Sequence, residues 1–250
     1  MIEIENLSKA YGRTVVVDGV SLVLPAGGLT SIIGPNGAGK STLLSMIGRL
    51  LAADAGTIRV DGLDVSTTRS DVLARRLSLL RQDIHLAARL TVRDLVTFGR
   101  YPYSKGRYTV EDERHVLQAI SFLGLEALAD RFLDELSGGQ RQRAFVAMVF
   151  CQDTDYVLLD EPLNNLDIKH AVDIMQLIRR TAREFGKAVI VVLHDINMAS
   201  AYSDHIIAMK NGRIFAHGTP QETIEGRLLT DMYETEITVQ SLNGRRIAVY

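Results

Sequence analysis

The stretch Gly34-Pro35-Asn36-Gly37-Ala38-Gly39-Lys40-Ser41-Thr42 fits the pattern G-x-x-x-x-G-K-[ST], and the chemistry of that pattern is phosphate binding. Glycines let the backbone turn tightly and aim its N–H groups at an anion, while a helix that follows directly points its positive dipole end the same way. Lys40 is placed to neutralise β and γ phosphates, Ser41 to offer its hydroxyl to Mg²⁺ and Thr42 to bond the α phosphate. Such a loop works only between a strand and a helix. Thr30 to Ile33 reads as a short buried strand, and Leu43, Leu44 and Ile47 begin a helical pattern.

The elements around the loop follow from punctuation and periodicity. Ile2, Ile4 and Leu7 alternate, then Thr14 to Val17 and Val20 to Leu24 follow between glycines, a pattern of short antiparallel strands. Tyr11 lies in the first bend, where its ring could stack on a nucleotide base; spacing alone fits a core tyrosine equally well. Gly56 to Val60 ends at Asp61-Gly62, a hairpin signal, and Asn211-Gly212 and Asn243-Gly244 repeat it near the carboxyl end. Leu77 to Leu80 reads as a strand closed by Arg81-Gln82. From about 87 to 150 the apolar residues recur at helical spacing, with Thr91 and Thr109 as caps and Tyr101 to Gly106 as an irregular loop. Arg141 to Phe150 is an expected amphipathic helix. Tyr156 to Leu159 and Ala188 to Leu193 are apolar strands flanking a helix over Lys169 to Phe185, which implies a parallel sheet with helices on both faces. Ligands of such sheets bind outside the carboxyl ends of the strands, where the phosphate loop, Gln82, Asp160-Glu161 and His194 all fall.

Composition excludes several classes. The formal net charge is −2, so no overall field recruits nucleic acid or an anionic membrane. No apolar run reaches the roughly 20 residues that cross a bilayer, and Met1 to Glu5 is neither basic nor long enough for a signal peptide, so a cytoplasmic chain is expected. The single cysteine, Cys151, rules out an intrachain disulfide and reads as a small buried hydrophobe at a helix end. His85, His115, His170, His205 and His217 read as surface or core residues.

The order of motifs carries a family resemblance. A phosphate loop, Gln82 after a strand, Leu136-Ser137-Gly138-Gly139-Gln140, the run Leu158-Leu159-Asp160-Glu161, then Asn165-Leu166-Asp167 and His194 after the next strand resemble the ATP-binding cassettes of ABC transporters, from Ile2 to about Pro220. The resemblance implies an α/β P-loop NTPase core with a mostly parallel sheet, an amino-terminal antiparallel part and an inserted helical subdomain over 87–150, the core being 1–86 and 151–250. It implies ATP and Mg²⁺ as ligands, with Ser41, Gln82 and Asp160 on the metal and its hydration shell. Glu161 is then the general base for the attacking water, and His194 contacts the γ phosphate and orients that water. Ser137 and the N–H groups of Gly138 and Gly139, at a helix start beside Gln140, form a second anion site. In the family that site covers the nucleotide held by another copy, so two chains bind two ATP molecules head to tail, with Asp167 and Asn165 across the interface.

Within the family, Leu90 to Pro102 and Leu136 to His170 resemble ATPases of iron–siderophore and cobalamin importers. Leu163 departs from the commoner Thr or Ser, and Asp83-Ile84-His85 is unusual after Gln82, which leaves the cargo open among siderophore, cobalamin, haem, metal ion and amino acid. The implied partners are membrane permease subunits, a second copy and, indirectly, a substrate-binding protein, with the chain on the inner face of the membrane. A soluble ABC ATPase outside transport is the other alternative; tandem cassettes, a coiled-coil insertion or a basic surface, which would mark one, are absent from the sequence.

Overall fold

The computed structural model describes residues 1–82, 88–164 and 166–250. The chain begins with β1 (Ile2–Tyr11), β2 (Thr14–Leu24), β3 (Gly28–Ile33), α1 (Lys40–Ile47), β4 (Ala55–Val60) and β5 (Leu63–Asp64). After α2 (Ser70–Leu73) and β6 (Leu77–Leu80) comes a helical block of α3 (Val92–Thr97), α4 (Tyr101–Ser104), α5 (Val110–Phe122) and α6 (Gly138–Cys151). Strand and helix then alternate in β7 (Tyr156–Asp160), α7 (Ile168–Glu184), β8 (Ala188–Val192) and α8 (Ile196–Tyr202). The chain closes with β9 (His205–Lys210), β10 (Arg213–Gly218), α9 (Pro220–Thr223), α10 (Gly226–Tyr233), β11 (Thr238–Leu242) and β12 (Arg245–Val249). At Asp61-Gly62, Asn211-Gly212 and Asn243-Gly244 both turn residues have positive φ, the backbone that two-residue hairpins require.

A six-stranded sheet runs in the order β10-β9-β3-β8-β7-β6, parallel from β9 to β6 with β10 antiparallel at its edge. A second, antiparallel sheet has the order β2-β1-β4-β5. The central strands β7 and β8 are buried at every position because both faces of the sheet are covered there. Val157, Leu159, Val189, Val191 and Ile206 join a core with α3, α5, α6, α7 and α8, while Leu158, Ile190, Val192 and Ile207 join a second core with α1 and the antiparallel strands. This is the α/β arrangement expected from the sequence. Its consequence is positional: β3, β6, β7 and β8 run the same way, so their carboxyl ends gather at one edge.

Two local expectations need correction. Tyr101 to Ser104 is a helical turn, not an irregular loop: Pro102 stands in the first turn, where its missing N–H breaks no bond, and Arg100 stacks over the Tyr103 ring at 4.0 Å. The helix expected to be amphipathic over Arg141 to Phe150 runs from Gly138, the start expected for the second anion site, and is buried around much of its girth because α3, α5 and β6 all pack on it. Cys151 is buried at its end as expected, and burial pushes the thiol up to about 12, well away from reactivity. Asp83, Ile84, His85 and Asn165 lie outside the described residues. Among the described residues no helix is long and apolar enough to cross a membrane.

Candidate active site

Backbone geometry first makes the phosphate loop. Gly34 and Gly39 take φ of 148° and 95°. A Cβ at Gly34 would lie 2.1 Å from the Met209 carbonyl oxygen and one at Gly39 2.4 Å from that of Val16, so only glycine fits either place. Gly39 is the N-cap of α1 and offers no side-chain acceptor, which leaves the first N–H groups of α1 for a ligand. Lys40 is buried and donates from Nζ to the carbonyls of Gly34 at 2.8 Å and Pro35 at 3.0 Å. Burial lowers the pKa of its ammonium, opposed by the nearby carboxylates of Glu161 and Asp160.

The acidic pair sits where β7 stops. Asp160 is the last residue of the strand, and its Oδ1 accepts from the Ser41 hydroxyl at 2.8 Å. Burial raises its carboxyl above the usual range, with the Glu161 charge adding to this and Ser41 and Lys40 opposing it. Glu161 follows with φ of 50°, an uncommon conformation for a non-glycine residue that turns its side chain back over the strand ends. Three side chains hold that carboxylate. Gln82 Nε2 and Asn164 Nδ2 donate to Oε2 at 2.7 and 2.6 Å, and His194 Nε2 lies 2.6 Å from Oε1, which requires that nitrogen to carry the proton. Val16, Asn36 to Thr42, Glu161 and His194 line one open cavity.

The structure thus brings Lys40, Ser41, Gln82, Asp160, Glu161 and His194 together at one sheet edge. It keeps others apart. Tyr11 is 54% exposed at the end of β1, which removes the core alternative, and it does not line the cavity. Ser137 to Gln140 line none of it either. Ser137 is the N-cap of α6 in a reciprocal box, accepting from the Gln140 N–H at 3.4 Å while its own N–H donates to Gln140 Oε1 at 3.0 Å. Gly138 and Gly139 form the first turn above it. Asp167 is the N-cap of α7. Sequence reasoning missed Asn164, whose signal was its place three residues after Glu161 beyond a proline, the spacing that closes a turn. It missed Val16 as well, which carries no signal.

Ser41 and Asp160, hydroxyl to carboxylate at 2.8 Å, are oxygen donors that suit a small hard cation, leaving the remaining positions to water and phosphate. Chemically, the edge can bind a polyphosphate and hold a carboxylate ready to take a proton beside it.

Known proteins resemble this chain in sequence and in fold. Residues 17–164 match the ABC transporter family. The chain is 52% identical to the petrobactin import ATP-binding protein YclP of Bacillus subtilis (strain 168), covering all of this chain and 99% of that one. It is 55% identical to the petrobactin import ATP-binding protein FatE of Bacillus anthracis, covering both completely. Among solved structures, a dimeric ATP-binding cassette in a post-hydrolysis state bound to ADP and Pi superposes with a TM-score of 0.79 at 29% identity, covering 88% of this chain and 99% of that one.

Proposed function

This chain belongs to the ABC transporter family and is an ATPase, and on that premise we propose that it drives uptake of an iron–siderophore complex through a separate membrane permease. Full-length similarity to two petrobactin import ATP-binding proteins supports the cargo class. The observation that carries the catalytic reading is the Glu161 carboxylate, held by Gln82, Asn164 and His194 beside the phosphate loop.

In this reading the N–H groups at the start of α1 and Lys40 hold the β and γ phosphates of ATP, with Gly34 to Gly39 wrapping them and Thr42 bonding the α phosphate. Ser41 and Gln82 would hold Mg²⁺, with Asp160 on its hydration shell, and the ion would supply neutralisation of phosphate charge. Glu161 takes a proton from the attacking water while the water oxygen bonds to the γ phosphorus and the bond to the β-phosphate oxygen breaks. His194 keeps Glu161 oriented and reaches the γ phosphate. Tyr11, exposed at the end of β1, stacks on the adenine.

The same chain supplies a second anion site at the start of α6, outside the cavity of its own phosphate loop. We assign Ser137, Gly138, Gly139 and Gln140, with Asp167, to the nucleotide of a second copy, so that two ATP molecules are bound head to tail; the dimeric relative with ADP and Pi is in keeping with this. Residues 87–150 act as a helical subdomain against a core of 1–86 and 151–250. Its exposed Phe98 and Tyr101 receive the permease on the inner face of the membrane.

Two measurements test the proposal. Glu161→Gln should keep ATP binding, lose most turnover and trap an ATP-dependent dimer, and normal turnover would remove Glu161 as the base. Proteoliposomes carrying the chain with its permease and binding protein should take up a ferric siderophore in an ATP-dependent way. Transport of cobalamin or haem in its place would overturn the cargo but leave the ATPase intact.

A further inference from the structure

Asp167 is bonded twice by one residue. Its Oδ1 accepts from the backbone N–H of His170 at 2.8 Å and from His170 Nδ1 at 2.7 Å. A carboxylate only accepts, so Nδ1 carries a proton and the imidazole is folded back over the start of α7 in one orientation. The ring's other edge rests on a different element. A Cβ built on Gly139 would lie 2.7 Å from His170 Cδ2 and 2.8 Å from Cγ, closer than packed carbon atoms ever approach. Gly139 is accordingly buried, while Ser137 and Gly138 on either side of the turn's mouth remain exposed. One flat side chain therefore bridges the N-terminus of α7 and the first turn of α6, with no other side chain between it and the glycine backbone.

We propose that His170 is a positioning residue of the two-chain ATP site: it holds Asp167 and the Ser137–Gln140 turn as one body, so that both segments meet the second copy's nucleotide together. The proposal rests on the head-to-tail reading above. A helix-capping role alone does not account for the geometry, because the N-cap bond to Asp167 uses the backbone N–H of residue 170 and survives any side chain there. What the imidazole adds is the second bond to Asp167 and the contact with Gly139. It also gives Gly139 a reason independent of phosphate: any larger residue there would displace His170.

The test uses the full chain carrying Glu161→Gln, with ATP-dependent dimerisation followed by sedimentation and monomer nucleotide affinity measured with a fluorescent ADP. His170→Ala should weaken the dimer at least tenfold while leaving monomer affinity within about twofold. In the chain with Glu161 intact, the same change should lower kcat with little change in KM. His170→Asn places an amide donor where Nδ1 stands and should restore most of the dimer. Gly139→Ala should cost less in the His170→Ala chain than in the parent, because the clash has gone. A parent that dimerises while His170→Ala dimerises equally well overturns this proposal alone. Equal failure of His170→Asn and His170→Ala overturns the bond to Asp167 as its basis. A Glu161→Gln chain that forms no dimer with ATP overturns the head-to-tail reading and this proposal with it.

Discussion

The Glu161 side chain is the point at which three strand ends are made to agree. Gln82 follows β6, Glu161 itself follows β7 and His194 follows β8, and Asn164 reaches back from the turn between β7 and α7. Each donor offsets part of the cost of burying a carboxylate, and each removes a rotamer in which that carboxylate would face elsewhere. Asn164→Ala leaves Oε2 with Gln82 as its donor. We expect kcat to fall by about tenfold with KM for ATP little changed, a smaller loss than the ~10²–10⁴ expected for Glu161→Gln, since the carboxylate remains but is less restrained. Steady-state phosphate release on both variants checks the ranking, and an Asn164→Ala chain as slow as Glu161→Gln would mean Asn164 acts on the reacting atoms directly. The acidic pair and His194 were legible because each ends an apolar strand. Asn164 was not, because a turn amide among Asn164, Asn165 and Asp167 looks like ordinary loop chemistry until its partner is seen.

At the scale of elements, the helical block is tied to itself by one buried cation. Arg100 donates to Asp112 Oδ1 at 3.0 Å and to the Cys151 carbonyl at 3.0 Å, so it joins α5 to the end of α6 while covering Tyr103 of α4. Asp112 is at the same time the third residue of the α5 capping box, its Oδ2 accepting from the Thr109 N–H at 3.0 Å and hydroxyl at 2.7 Å. Burial pushes the Asp112 carboxyl up, but the Thr109 and Arg100 bonds outweigh it and hold the group below its usual range. A lowered folded pKa contributes stability above the unfolded carboxylate range, and that contribution is lost as pH falls through the folded value. Asp112→Asn, which strands the buried guanidinium, should cost about 3–5 kcal/mol near pH 7 and should flatten the acid side of the stability–pH curve. Urea unfolding at several pH values reads both; a variant with an unchanged acid limb would place the pH dependence elsewhere. The caps at Thr91 and Thr109 were readable from the sequence because the Thr-x-x-Asp box is local. Helix α4 was not, because a proline read without its position looks like a breaker, and the Arg100–Tyr103 contact that steadies the turn depends on side-chain packing.

The whole molecule is organised by a sheet buried on both faces, and this much the alternation of apolar strands and helices had already implied. What it could not give is how far the cores extend. One core runs without a gap from Val92 and Val116 of the helical block, through Val157 and Val191 of the sheet, to Ile237 and Ala248 at the carboxyl end, where Asn197 of α8 clamps both backbone groups of Ala248 in β12. Continuous burial of this kind is expected to give one cooperative unit, although the helical block reads in sequence as a separable insertion. On the proposed reading nucleotide binds the folded chain and not the unfolded one, at a phosphate loop whose helix α1 packs on the second core across the shared sheet. At a hundred times its Kd it should add about 2.7 kcal/mol to the unfolding free energy. Calorimetry should therefore show a single transition that moves upward as a whole with Mg-ATP. Lys40→Ala should abolish the shift, since it removes the ammonium proposed to meet the phosphates, while leaving the sheet edges and both cores in place. Two transitions, of which only one responds to nucleotide, would show that the helical block folds as its own unit and that the shared core does not transmit binding across the molecule.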